Sequence, residues 1–157
     1  MSVATHRAAL VGLLNGVPGI GRVHEYQRYS REESTFRSLY LWGEPPMQPH
    51  LRGWQVSHPS EERRTLGVSR VLKKHSWALR GYLVLNDEFA SELVFDGLCE
   101  AVADAYQADP TLGGVCAAEM WGDGPDGVQK LDAGPVLFCG VLCHSAVLQL
   151  ETWEYAR

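Results

Sequence analysis

No long apolar run is present: the longest, Pro135 to Cys143, falls well short of the ~18 residues that a membrane span needs. The chain therefore reads as having no membrane partner. It also lacks a basic excess. A formal net charge of −5 argues against general affinity for nucleic acid phosphates, which needs clustered Lys and Arg. Cysteine is sparse, at four residues, and Met1 to Leu14 shows no charged region, apolar region and small-residue cleavage site in sequence. Neither a disulfide scaffold nor export is expected, so synthesis in a cytoplasm is. No G-x-S-x-G, phosphate loop or zinc-protease motif occurs, and no catalytic residue or cofactor is assigned. What remains is ordinary globular composition, 45% hydrophobic and 21% charged over 157 residues, which is one domain's worth of core.

The stretch from Lys74 to Asp109 organises the rest. Ser76, Ala78, Arg80, Tyr82 and Val84 alternate with Trp77, Leu79, Gly81, Leu83 and Leu85, the pattern of a strand buried on both faces. Asn86 and Asp87 break it and are placed to cap a helix from Glu88 to Gln107, whose apolar stripe is Phe95, Leu98, Cys99, Val102 and Tyr106. Pro110 ends that helix. Along it Glu88, Glu92, Asp96, Glu100 and Asp104 recur every four residues with no Lys or Arg. Like charges at this spacing cost an isolated helix roughly 0.2–0.5 kcal/mol per pair. The plain reading is a solvated helix face; the sharper one is a surface that meets a basic partner or repels an anion.

Basic residues cluster just upstream, with Arg63, Arg64, Arg70, Lys73, Lys74 and Arg80 in one short span. Opposite charges on separate surfaces of one subunit favour head-to-tail association, which closes into rings when the rotation permits. Cys139, Cys143 and His144 form a C-x3-C-H cluster, but paired zinc spacing and a fourth ligand are missing, so buried, reduced, metal-free cysteines are expected and no metal ligand is assigned.

In chain order, His6 to Leu14 reads as a short helix with Thr5 as its cap. Val17 to Arg22 is a glycine-bearing turn that locally resembles a helix-hairpin-helix phosphate loop but leads into an alternating stretch, Val23 to Tyr29. Ser30 and Glu33 form a capping box for a helix from Arg31 to Leu41. Residues 43–50, rich in proline, and 59–67, charged and polar, read as loop arms on either side of a strand from Leu51 to His58. Leu112 to Trp121 has strand composition. Gly122 to Gly127 is a turn-rich loop whose acids do not match a calcium loop, and Ser145 to Tyr155 alternates as a strand. The expected fold is α+β, a mainly antiparallel sheet flanked by a long helix and one or two short helices, in a single domain over residues 1–157.

His24, His75 and His144 are the general-base candidates for a small enzyme, although each falls in or beside a predicted strand, where a structural histidine is commoner. The wider pattern resembles the tail terminator proteins of long-tailed bacteriophages. It is carried by Gly19-x-Gly21-Arg22-Val23-His24 with Tyr26 and Arg28, then Trp54, then Trp77, Gly81 and Tyr82 leading through Asp87 to the acidic helix, then Gly113-Gly114, and last His144-x-Ala146-x-Leu148-x-Leu150-x3-Glu154. The resemblance implies a non-enzymatic virion protein of the tail and neck, made in the host cytoplasm. It implies a homo-oligomeric, hexameric ring on the end of a finished tail tube, touching the tube protein and a head-completion or connector protein. DNA passes through such a ring without specific binding. Glu88, Glu92, Asp96, Glu100 and Asp104 are candidates for its lumen wall, or else for a subunit contact with Arg63, Arg64, Arg70, Lys73 and Lys74. Another head-completion or neck adaptor protein is the alternative, and the small enzyme a further one.

Overall fold

The computed structural model describes residues 3–43, 45–118 and 126–156. Three α-helices, α1 (Val3–Asn15), α2 (Glu33–Ser38) and α3 (Ser91–Ala108), accompany six strands: β1 (Arg22–His24), β2 (Leu41–Trp42), β3 (His50–Gly67), β4 (Arg70–Val84), β5 (Gln129–Phe138) and β6 (Val141–Ala156). The strands form one sheet in the order β1-β3-β4-β6-β5, with β2 paired to β3 off that path. The fold is α+β, but the sheet is mixed rather than mainly antiparallel, because β1 runs parallel to β3 with Val23 opposite Trp54. A parallel pair needs a crossover between its strands, and α2 and β2 supply it.

Alternation sorts the side chains of β3, β4 and β6 onto two faces. On one, Trp54, Val56, Trp77, Leu79, Leu83, Ala146, Leu148 and Leu150 pack against Leu10 and Leu14 of α1 and Phe95, Leu98, Cys99, Val102 and Tyr106 of α3. Trp54 lies at the centre, stacked on Phe95 at 5.9 Å with its indole N–H donated to the Ile20 carbonyl at 3.1 Å. Its ring occupies the space over Gly81, where a Cβ would come within 2.5 Å of ring carbon. The opposite face carries a smaller cluster of Tyr40, Leu51, Tyr82 and Cys143, joined by Phe36 of α2 and by Phe138, which stacks on Tyr82 at 3.7 Å.

Several expectations are corrected. The helix read from Glu88 is split: a 3-10 turn covers Asp87–Phe89, Ala90 takes φ 52°, and α3 starts at Ser91. The Asn86 side chain accepts the Glu88 N–H and so caps the 3-10 turn, not α3. Thr5 lies inside α1, not ahead of it. The strand at Val23 shrinks to Arg22–His24, and α2 starts at Glu33 behind Glu32, whose side chain caps no backbone N–H and instead accepts the Ser34 hydroxyl. Residues 59–67 are strand, not a loop arm. A register shift between Ser57 and Ser60 takes up Pro59, which has no N–H to give the ladder. Gln129–Phe138 is an additional strand, beyond those expected from the sequence. It reaches β6 through a tight turn in which Cys139 and Gly140 both have positive φ. Of the strand expected from Leu112 to Trp121, residues 112–115 form turns, with Leu112 at φ 50°. Its end at 119–121, like Gly122 to Pro125 of the expected loop and Glu44 of the proline-rich one, lies outside the described residues.

Candidate functional site

Past the register shift, β3 and β4 continue as an arm from the Ser60–Ser76 pair to Gly67–Arg70, with β6 alongside β4 as far as Ala156. The tip of the arm is apolar and bare: Leu66 is 46% exposed and Val68 wholly so. Little there is available to bury either side chain, since both follow the run of charged residues from Glu61 to Arg64.

The basic residues expected to meet a partner are mostly occupied within the subunit. Arg63 pairs with Glu61 at 2.8 Å, Lys73 with Glu154 at 3.4 Å, and Lys74 with Glu62 at 2.8 Å and Glu151 at 3.8 Å. The hydrogen bond from Lys74 to Glu62 raises the ammonium pKa, and the one from Arg63 lowers that of Glu61. Arg70 lies 4.4 Å over the Tyr155 ring. Arg64 and Arg70 therefore set the charge of the tip.

At the other end of β3, seventeen residues away and roughly 55 Å at ~3.3 Å per residue, an open cleft of about 440 Å³ is lined by Met47, Pro49, Val84 and Phe89 together with the polar Gln48, His50, Arg52 and Asn86. Leu85, between the cleft residues Val84 and Asn86, is exposed, as are Leu93, Leu137 and Leu142, and it donates its N–H to Leu142 O at 3.0 Å, so three of these four adjoin through the Leu137–Leu142 pair. All five acids of the ladder are exposed. Ala90 interrupts the ladder after Glu88, and Lys130 of β5 reaches Asp96 at 2.9 Å.

The three candidate bases do not converge. His24 is held through Nε2 against the Leu39 carbonyl at 2.6 Å, and burial lowers its pKa. His144 Nε2 stands 2.7 Å from the Ser91 hydroxyl, which also accepts the Asn86 N–H; this Ser–His pair ties β6 to the start of α3. His75 lies eight residues along β4 from Leu83, the partner of His144, or roughly 26 Å away. The C-x3-C-H cluster fails for the same reason of alternation: Cys143 enters the small core while His144 faces α3. Burial pushes Cys99 and Cys139 up to about 11, and Cys116 and Cys143 up to about 12.

A second polar group lies buried where the arm joins the sheet. His6 from the first turn of α1 meets His75 of β4 and Glu154 of β6, with exposures of 0%, 0% and 3%. Their ligand-type atoms lie within 4.8 Å of one another. His6 Nε2 is 3.2 Å from Glu154 Oε2, and His75 Nε2 is 3.4 Å from Oε1. These contacts are short enough for an ion pair, yet none of the four atoms makes an aligned hydrogen bond among the described residues. Distance and direction disagree here, and direction is the more telling, because a hydrogen bond needs both. The Nδ1 atoms are engaged elsewhere: that of His6 with the Thr152 hydroxyl at 2.8 Å, that of His75 with His58 Nε2 at 3.1 Å and Glu61 Oε1 at 3.5 Å. Burial lowers the pKa of His6 and of His58. Of this group the sequence singled out only His75 as a site candidate. His6, His58, Glu61 and Thr152 follow no spacing rule, and the one available signal was a carboxylate, Glu154, in the buried run Thr152–Glu154 of β6.

The chain matches no protein-family model and no curated protein.

Proposed function

We propose that the protein is a non-enzymatic ring subunit of the tail-terminator kind, which ends the growth of a phage tail tube and offers the surface to which the head docks. One observation carries this reading: an exposed apolar arm tip, Leu66 and Val68, and an open cleft whose lining includes Met47, Pro49, Val84 and Phe89 lie at opposite ends of the same strand. A tip that enters the cleft of the next copy makes a head-to-tail contact, and such contacts close into rings. Burying the wholly exposed Val68 contributes about 1.5–3 kcal/mol, and the half-exposed Leu66 about half as much, at every joint of the ring.

Charge bears on the same docking: Arg64 and Arg70 sit at the tip, and the exposed Glu88 adjoins Phe89 of the cleft, whose lining also carries Arg52. Glu100 and Asp104, farther along α3, suit a lumen wall, where exposed carboxylates keep DNA phosphates from sticking as the genome passes. In this reading the hexamer contacts the tube protein on one side and a head-completion or connector protein on the other, and its place is the virion neck. The three candidate bases, His24, His75 and His144, do not converge, which agrees with a part that does no chemistry.

Tail tubes polymerised with and without the purified protein test it. Tubes of uniform, shorter length with the protein at one end are expected. Unchanged tube length together with binding to DNA-filled heads would assign the protein to the neck as a head-completion adaptor instead.

A further inference from the structure

We propose that His6, His75 and Glu154 bind one divalent transition-metal ion of the zinc type, which clamps α1 to the middle of the sheet. The inference is independent of ring formation. Three features carry it. The donors are a buried set of two imidazoles and one carboxylate, a mixture that suits zinc, whereas calcium and magnesium prefer all-oxygen sites. The nitrogen–oxygen contacts, 3.2 Å from His6 to Glu154 Oε2 and 3.4 Å from His75 to the other oxygen, Oε1, are each near the ~3.3 Å that separates ligand atoms ~2.0–2.1 Å from a central ion, and both imidazoles converge on the one carboxylate. His6 Nε2, His75 Nε2 and both Glu154 oxygens lack aligned hydrogen-bond partners among the described residues, as expected of atoms aimed at a common point rather than at one another.

The surroundings hold the ligands in that orientation. Thr152 receives the Trp77 indole N–H at 2.8 Å and stands at the same distance from His6 Nδ1, so a buried hydroxyl fixes the first imidazole. Glu61 and His58 sit against Nδ1 of His75 and fix the second. Ligating histidines characteristically turn one nitrogen to the metal and the other to a carboxylate, carbonyl or hydroxyl in this way. Lys73 Nζ, 3.4 Å from Glu154 Oε1, competes with the ion for the carboxylate; it is one-fifth exposed, and its long stem lets the ammonium turn out to water. Cys116 Sγ lies 3.6 Å from His6 Nδ1, the nitrogen facing away from the cluster, and is not a ligand.

The test uses the untagged full chain, freed of metal by a chelator and dialysed against zinc(II), with bound zinc counted by elemental analysis. One zinc per chain is expected, with a rise in melting temperature of roughly 5–10 °C at a hundredfold excess over Kd. Binding is lost in His75→Ala and in Glu154→Gln, and is retained when Cys139 and Cys143 are both replaced by Ser. Glu61→Gln and Thr152→Val weaken zinc about 10- to 100-fold. Lys73→Gln tightens it, whereas a plain ion-pair network would bind no zinc with or without Lys73. Should the ligand variants fail to fold, cobalt(II) on the wild-type chain decides: intense visible d–d absorption with no thiolate charge-transfer band supports the site. No stoichiometric metal on the wild-type chain, or a thiolate band with cobalt, overturns it.

Discussion

Gly81→Ala isolates the packing at the centre of the fold. A new Cβ would stand 2.5–2.6 Å from three carbons of the Trp54 six-membered ring. Carbon atoms at rest sit ~3.5–4.0 Å apart, so about 1 Å of overlap must be relieved. Trp54 has little room to yield: it is fully buried, stacked on Phe95 and tied to Ile20 O through its indole N–H. Overpacking of this kind costs about 1–3 kcal/mol, and the rigid ring argues for the upper half of that range. The loss runs against intrinsic preference, since alanine suits an ordinary strand backbone better than glycine does. For a chain of this size it lowers the melting temperature by roughly 5–10 °C. Urea melts of Gly81→Ala, Trp54→Leu and the double variant supply the check. The double variant should be at least about 1 kcal/mol more stable than the sum of the single losses, because the added methyl enters space that the indole has left. A tolerated Gly81→Ala, within about 0.5 kcal/mol of wild type, or strict additivity, refutes the packing described.

Replacing both Leu66 and Val68 by Asp should leave the melting temperature of the monomer within a degree or two, since both side chains are exposed, yet weaken self-association by a hundredfold or more in analytical ultracentrifugation. Glu92→Lys with Asp96→Lys removes the exposed Lys130 bridge at a cost of no more than about 1 kcal/mol; loss of the ring marks the acids as a subunit contact, and an intact ring with blocked DNA passage marks them as lumen. Wild-type assembly and titre from that variant would show the ladder to be a solvated face only. The buried thiols, with pKa values raised to about 11 or 12, should react with a thiol reagent at pH 8 far more slowly in the folded than in the urea-unfolded protein. Because the raised values mean that the folded chain holds these protons more tightly, stability is full below the ordinary thiol value near 9 and falls as pH rises from there towards 12, which melts between pH 8 and pH 11 will register.

Where the sequence was legible, one period ran without interruption. Trp77, Leu79, Gly81 and Leu83 alternate cleanly and form β4, and the spacing of Phe95, Leu98, Cys99 and Val102 is the buried stripe of α3. It misled where a single residue broke the pattern. Pro59 looked like a strand end, but a register shift carries the ladder around it; Asp132 at φ 51° and the shift between Leu131 and Gly134 hid β5. Nothing local marks β1 as parallel, because strand direction is set by the route of the chain between β1 and β3. The acidic and basic sets were visible as composition, but the partners Glu62, Glu151 and Glu154 follow only from strand register, and Lys130 only from the placing of β5 against α3. The buried histidine–glutamate group draws on α1, β4 and β6, which only the folded sheet brings together.

Ring formation through the arm is the central claim, and the mass of the native protein in solution, read alongside that of the Leu66→Asp, Val68→Asp variant, tests it most directly. The account predicts a closed oligomer of six copies, in solution or on tail tubes, and a folded monomer for the variant. A wild-type protein that stays monomeric at high concentration and in the presence of tail tubes, or a variant that assembles as well as wild type, contradicts it.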